Sequence, residues 1–287
     1  MPAPWWTALR RSTPTVAPDL PTWWAWHRQV TAATPLARAA LAAARADRLA
    51  TAFVSGYQAA LEAMFGECSL GAFAVTEAGG GHPRAIATRL DDRKLVGTKT
   101  FVTGGRSAEV VWVVARTDDP QATRPSLKVV RVPTTAPGLT WSDGPTPPFV
   151  PEVDHGVLTL DGTPATDVLD GDGYARFVKP FRTVEDVHVL AAALGMALGA
   201  SARVHHPDEA WTEEALALLV TVDHLAAHRP TDVAVHLPLA AVFRRARPLL
   251  DQAPWPADMP WARDRALLTL AGVVRDRRTQ RAWESWR

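Results

Sequence analysis

The sequence predicts an α+β protein with N-terminal helices, a central all-β domain and a C-terminal four-helix bundle, in that order. Three observations carry this expectation. Residues 35–66 are rich in alanine, with charges spaced through them. Residues 72–168 switch to a Val- and Thr-rich composition cut by Gly and Asp turns. Residues 183–286 return to long apolar runs separated by capping residues and prolines. The expected divisions are 1–70, a Trp-rich arm and reduced helical domain; 71–170, the β-domain; and 171–287, the bundle.

The elements follow in chain order. Residues 1–34 hold five of the twelve tryptophans, Trp5, Trp6, Trp23, Trp24 and Trp26. They read as an irregular arm, with room for one short helix, docked by its aromatics. Thr34-Pro35 is a good helix entry and Gly66 a good exit, with one or two helices between them. Ala72 to Thr76 reads as a strand stopped by Gly79, Gly80 and Gly81. Ile86 to Leu90 leads into the turn-prone pair Asp91-Asp92, and the chain returns through Lys94. From there the period is that of a strand, with Lys99, Phe101 and Thr103 on one face and Thr98, Thr100 and Val102 on the other. Glu109 to Arg116, Leu127 to Val132 and Gly156 to Leu160 are β-rich runs, and a Pro-rich loop, Gly144 to Pro151, interrupts the domain. Six to eight short strands are expected.

In the bundle, Thr183 is placed to cap a first helix running to about Val204, with Glu185 and Asp186 in its opening turn. Pro207-Asp208 opens a second helix that ends near Pro230. The third runs from Thr231 to about Leu250. Pro254, Pro256 and Pro260 form a connector, and the last helix covers Trp261 to Trp286. Helices of this length with short connectors pack as an antiparallel bundle.

Composition narrows the class. The chain has 287 residues, 47% hydrophobic and 21% charged, with a formal net charge of +1. That length can bury a large core, and nothing in the charge calls for nucleic acid or an anionic membrane. The longest small-apolar run, Val189 to Ala200, is too short to span a bilayer. No signal peptide is visible at the start. One cysteine, Cys68, excludes a disulfide framework, so a cytoplasmic location is expected.

The chemistry concentrates between Phe73 and Gly105. In the first segment, Phe73-Ala-Val-Thr-Glu-Ala-Gly-Gly-Gly-His82, three glycines without Cβ let a ligand lie on the backbone, and the Thr76 hydroxyl can donate or accept. The second, Gly97-Thr-Lys-Thr-Phe-Val-Thr-Gly-Gly105, offers an aromatic face beside a hydroxyl. Taken singly, the first segment also suits a sharp loop between strands, and Phe101 also suits ordinary core packing. A dinucleotide fingerprint is excluded because Gly81 is followed by His-Pro and not by a helix. No phosphate-cradling G-x-x-x-x-G-K-[ST] loop is present.

Together the two segments, in this order and about twenty residues apart, resemble the flavin-contacting segments of the acyl-CoA dehydrogenase family. These read roughly A-x-x-T-E-P-G-A-G-S-D and G-x-K-x-W-I-T-N-G. Leu158 to Tyr174 resembles the family's last β-strand and the acidic Gly-rich turn after it, and the resemblance extends over residues 50–205. It implies FAD as cofactor, held by Phe73, Val75, Thr76, Gly81, His82, Phe101 and Thr103. It implies oxidation of an acyl-CoA or similar acyl thioester between Cα and Cβ, in a homodimer. Glu185-Asp-Val-His-Val-Leu-Ala-Ala-Ala-Leu-Gly195 resembles the first bundle helix of the isovaleryl and long-chain branch, which makes Glu185 the candidate base. An acid in a helix's opening turn also stabilises the dipole without catalysis.

The sequence departs from the family at several points. The R-x-x-F-G, Q-x-x-G-G-x-G and Y-E-G-T segments are absent, the usual Trp is Phe101, and Ser-Asp is replaced by His82-Pro83. A second reading therefore stands beside the first, a non-catalytic relative that has lost FAD and acts as a binding or scaffold protein. No metal site is expected. His224 and His228 have a spacing that can hold a metal, but histidines near a helix C-terminus also complement the dipole. The Arg-rich last helix reads as a solvated face.

Overall fold

The computed structural model describes residues 4–117 and 125–287. The chain forms two compact units. One comprises Met1–Gly66, Pro148–Val150 and Thr183–Arg287; the other comprises Glu67–Pro147 and Pro151–Arg182. The helices on either side of the β-region in sequence therefore belong to one unit.

Caps and prolines set the helices of that unit. Trp5–Arg11 is a 3-10 helix. Helix α1 (Leu20–His27) is capped by Asp19, which accepts from Thr22 N at 2.7 Å. Helix α2 (Pro35–Ala43) is capped by Thr34, with Pro35 in the first turn. Helix α3 (Leu49–Phe65) stops at Gly66, whose φ of 74° suits a residue without Cβ. Trp23, Trp24 and His27 of α1 are fully buried. Trp23 Nε1 donates to Ser55 Oγ of α3 at 2.9 Å, and His27 Nδ1 lies 3.0 Å from the same hydroxyl. The arm is thus a packed helix, more ordered than its Pro-rich sequence suggests.

Helix α4 (Lys179–Ser201) begins earlier than expected. A π-helical turn, Tyr174–Val178, runs directly into it. Thr183 is therefore inside the helix and caps nothing, and Glu185 and Asp186 are not in an opening turn. The Thr183 hydroxyl accepts from Arg278 Nη1 at 2.6 Å. Asp186 is buried and paired with Arg275 Nη1 at 2.9 Å and with Arg278 Nη2. Glycines bring α4 against α2 and α3. A Cβ on Gly195 would stand 2.3 Å from Ala40 O, one on Gly199 2.0 Å from Ala44 O, and one on Gly56 2.7 Å from Val189 Cα. Such approaches exclude any side chain. Tyr174–Ser201 is apolar and long enough for a bilayer span, but 83% of its apolar window is buried in the protein.

Helix α5 (Glu209–Ala226) is capped by Asp208, and α6 (Val233–Asp251) by Asp232. The expected single last helix is broken. Helix α7 (Trp261–Asp264) passes into a 3-10 stretch, Arg265–Thr269, before α8 (Gly272–Trp286). Part of the Pro-rich loop packs with these helices: Val150, at φ 39°, donates its N–H to the buried Asp264 at 2.8 Å.

The other unit is one eight-stranded sheet with the order β6-β7-β3-β2-β4-β5-β8, in which β1 pairs with β4. The strands are β1 (Gly71–Ala74), β2 (Arg89–Asp91), β3 (Lys94–Thr103), β4 (Val110–Arg116), β5 (Leu127–Pro133), β6 (Leu139–Asp143), β7 (His155–Pro164) and β8 (Asp167–Val168). The β1–β4 pair is parallel and β4–β5 antiparallel, with β4 buried along its whole length. Ala72, Ala74, Leu95, Val102, Val111, Val113, Val130, Leu158 and Leu160 share the core beneath the sheet.

Candidate functional site

The site residues lie where β1 runs out and β3 bends. The β2–β3 hairpin turns at Asp92 and Arg93, both with positive φ (44° and 59°), as the right-handed twist of a two-residue hairpin demands. Strand β3 then pairs with β7 in three blocks, with register shifts between Leu95 and Val96 and between Lys99 and Val102. Lys99 faces Leu158 and Val102 faces Gly156, so β3 carries one extra residue between them. This bulge changes the phase of the strand. Before it the inward residues are Leu95 and Lys99; after it the inward residue is Val102. Phe101 and Thr103 share a face, as the alternation predicts, but Thr98 lies on that face as well and not opposite. Lys99, expected beside Phe101, points inward and is fully buried.

Two contacts tie the motif segments together. Thr76 forms an isolated antiparallel bridge with Phe101, and Thr76 O accepts from Thr100 N at 2.9 Å. Beneath it, Lys99 Nζ pairs with Glu77 Oε1 at 2.6 Å. The Glu77 carboxylate also accepts from Ala87 N at 2.7 Å and Thr88 N at 3.1 Å. Burial alone would raise the Glu77 pKa, but Lys99 and the hydrogen bonds outweigh it and hold the carboxyl below its usual range. Burial pulls Lys99 down to about 8 despite Glu77. Glu77 is therefore an ionised structural group and not a base. Both residues stand within the two motif segments, and only the fold pairs them.

The glycines behave differently from one another. Glu77 N and Gly80 O, and Gly80 N and Glu77 O, close a tight turn in which Gly80 has φ 95°. Gly81 passes beside Thr76, where its missing Cβ would stand 3.5 Å from Thr76 Oγ1 and 3.8 Å from Val75 Cγ1. Val75, Thr76, Gly81, Phe101 and Thr103 are all half-buried and gather around the Thr76–Phe101 bridge. Two expected members do not join them. Phe73 is buried, edge-on to Phe181 at 5.0 Å. His82 is exposed, and its Nδ1 accepts from Arg84 N at 3.2 Å to start the 3-10 turn Pro83–Ala85.

His155, unmarked by the sequence, does join the face. It pairs with Thr103 across the strands and stacks on Phe101, with ring centroids 4.2 Å apart. Burial lowers its pKa against the pull of Asp154, so it is neutral near pH 7. Its Nδ1 is buried without a protein partner. Glu185 lies in the other unit, half-buried on α4 between Thr183 and Asp186, which the two arginines of α8 engage.

Residues 72–163 match the family profile described as "Acyl-CoA dehydrogenase, middle domain". This unit is an acyl-CoA dehydrogenase middle domain. The likeness of fold extends over most of the chain. Butyryl-CoA dehydrogenase from Megasphaera elsdenii superposes with a TM-score of 0.62 at 19% identity, covering 86% of this chain and 82% of that one. An acyl-CoA dehydrogenase from Geobacillus kaustophilus gives 0.60 at 16%, covering 96% and 91%. A glutaryl-CoA dehydrogenase from Mycobacterium smegmatis, in complex with FADH2, gives 0.59 at 17%, covering 97% and 93%. A comparison with curated proteins finds no match. The chain thus shares its fold with these acyl-CoA dehydrogenases, and its middle region matches their family's middle-domain profile.

The middle domain presents two hydroxyls and an aromatic ring on one face. Among the described residues, no protein group takes up the Thr76 or Thr103 hydroxyl. Both stay available beside an aromatic ring and a glycine backbone. That donor set fits a flat heterocycle with polar edges.

Proposed function

We propose that this protein binds FAD on the face formed by Val75, Thr76, Gly81, Phe101 and Thr103 and dehydrogenates an acyl thioester between Cα and Cβ. The supporting observation is the Thr76–Phe101 bridge, which sets two uncommitted hydroxyls beside one aromatic ring. The Glu77–Lys99 pair holds the two segments at this spacing. Thr76 and Thr103 would hydrogen-bond the ring edge, Phe101 would pack on it, and the bare backbone of Gly81 would allow close approach. Bound FAD would supply the two-electron acceptor. Glu185 would take the α-proton, its carboxylate fixed by a helix that the arginines of α8 anchor. The substrate class, a CoA ester or similar thioester, and the homodimeric, cytoplasmic state belong to the same proposal. They rest on the sequence resemblance and the single cysteine.

A specific observation favours a second reading, the relative without FAD. His155 already covers one face of Phe101, and His82 is committed to a turn where the family carries Ser-Asp. The visible absorption spectrum of the purified protein, taken after FAD addition and desalting, separates the two. A retained flavin band supports the first; a colourless protein supports the second. With flavin retained, Glu185→Gln should reduce acyl-CoA turnover by about a thousandfold, the middle of the range for general base catalysis, and leave the flavin band in place. Unchanged turnover would remove Glu185 from the mechanism.

A further inference from the structure

Helix α5 ends in two histidines whose relation the spacing alone did not decide. His224 is in its last turn and His228 lies just past its end. Their Nε2 atoms are 3.2 Å apart. The rings meet edge-on, at 4.8 Å and 69°. Both side chains are exposed.

Dipole compensation does not account for this arrangement. An imidazolium at a helix C-terminus is favoured by proximity to the last carbonyls, which asks nothing of a second ring. Two imidazoliums with nitrogens in contact would repel. A neutral imidazole has one ring-nitrogen lone pair to give. A single hydrogen bond between exposed rings competes with water and is worth little. A cation that accepts both lone pairs would gain more.

The separation fits such a cation. Two zinc–nitrogen bonds of about 2.05 Å at a tetrahedral angle place the nitrogens ~3.3 Å apart, and at a right angle ~2.9 Å. The observed 3.2 Å lies between these. We propose that His224 and His228 form a two-imidazole chelate for a borderline divalent transition-metal ion, with zinc or nickel as the fitting class. No cluster of three or more His, Cys, Asp or Glu suited to a metal occurs among the described residues. The remaining coordination positions would therefore be open to water or to an external ligand. The adjacent pair His205 and His206 differs: its rings stack at 4.3 Å and 7°, a parallel arrangement in which their in-plane lone pairs do not converge.

The test uses the full chain stripped with EDTA and titrated with zinc chloride near pH 7.5 by calorimetry, then repeated with nickel. Saturable binding of one ion with micromolar dissociation is expected. His224→Ala and His228→Ala should each weaken it at least tenfold, whereas His205→Ala should not. Saturating zinc should also raise the melting temperature of the wild type and leave that of His228→Ala unmoved. Binding that persists in both α5 variants, or no saturable binding below millimolar zinc, would overturn the proposal. Folding of the variants is checked by circular dichroism, and these exposed positions should tolerate alanine.

Discussion

Lys99 shows how much one residue can organise. It is a fully buried cation whose partner, Glu77, is 22 residues away in sequence. Removing one member of a buried pair leaves the other charge uncompensated, at a cost of about 3–5 kcal/mol. Lys99→Met should lower stability to urea by that amount, and adding Glu77→Gln should recover part of it, because the buried charge is gone and the single glutamine oxygen can still accept from one of the two amides that Glu77 engages. Equal stability of the single and double variants would show that the pair is not the tie. At the same scale, the sequence made Thr76, Phe101 and Thr103 legible as neighbours because their order matches a family pattern. His155 was not legible, because it meets Phe101 only through the register of β3 and β7.

Two buried histidines predict the response to acid. Burial, with Arg38 adding to it, lowers His27 from 6.5 to about 3. Burial lowers His188 from 6.5 to about 4, although its Nδ1 donates to Val184 O at 2.7 Å. The unfolded chain takes up these protons below 6.5 and the folded chain does not. Stability is thus intact above that pH and falls as the pH drops toward each folded value. The loss is about 1.4 kcal/mol per histidine per pH unit at most. Melting temperatures between pH 7.5 and 4.5 should decline, and less steeply in His27→Gln. A flat profile in the wild type would contradict the burial argument.

Among elements, α4 departs most from its expected start. Its cap was sought at Thr183, where an acidic pair follows a threonine. The helix instead begins at Lys179, directly after the π-helical turn, with Pro180 in its first turn, where proline is tolerated. The last helix failed in the opposite sense, because the break near Leu270 carries no proline. The α2–α4 contact rests on Gly195 and Gly199, four apart on one face, a packing role not read from the sequence. Gly199→Ala would gain about 1 kcal/mol of helix propensity. It would also force a Cβ to within 2.0 Å of Ala44 O. The clash should win, with a net loss on the order of 2–3 kcal/mol, measurable by thermal unfolding. A stabilised Gly199→Ala protein would mean that the helices separate easily. The β3 bulge is the sheet's equivalent: alternation placed Phe101 and Thr103 correctly on either side of Val102, and one extra residue reversed Lys99 and Thr98.

On the scale of the molecule, composition drew the succession of helical, β and helical regions correctly, because each secondary structure has its own period. It did not reveal that residues 4–66 share a unit with residues 183–287, since such pairing depends on contacts and not on local pattern. The backbone-to-backbone seating of α4 on α2 and α3 is what joins them. Arg203 adds to it by donating to Ala44 O at 2.8 Å at the end of α2.

That discontinuity has a consequence for biosynthesis. As the chain leaves the ribosome from its N-terminus, helices α1 to α3 emerge first but lack the surface they bury against until α4 follows. The intervening stretch, Glu67 to Arg182, contains the eight strands found among its described residues and can complete its sheet while the first helices wait. Nascent chains arrested after Arg182 should therefore protect the sheet from protease and leave Trp23 and Trp24 accessible, whereas chains arrested beyond the last residue of α8 should protect both. The oldest part of each molecule would be the last to become native.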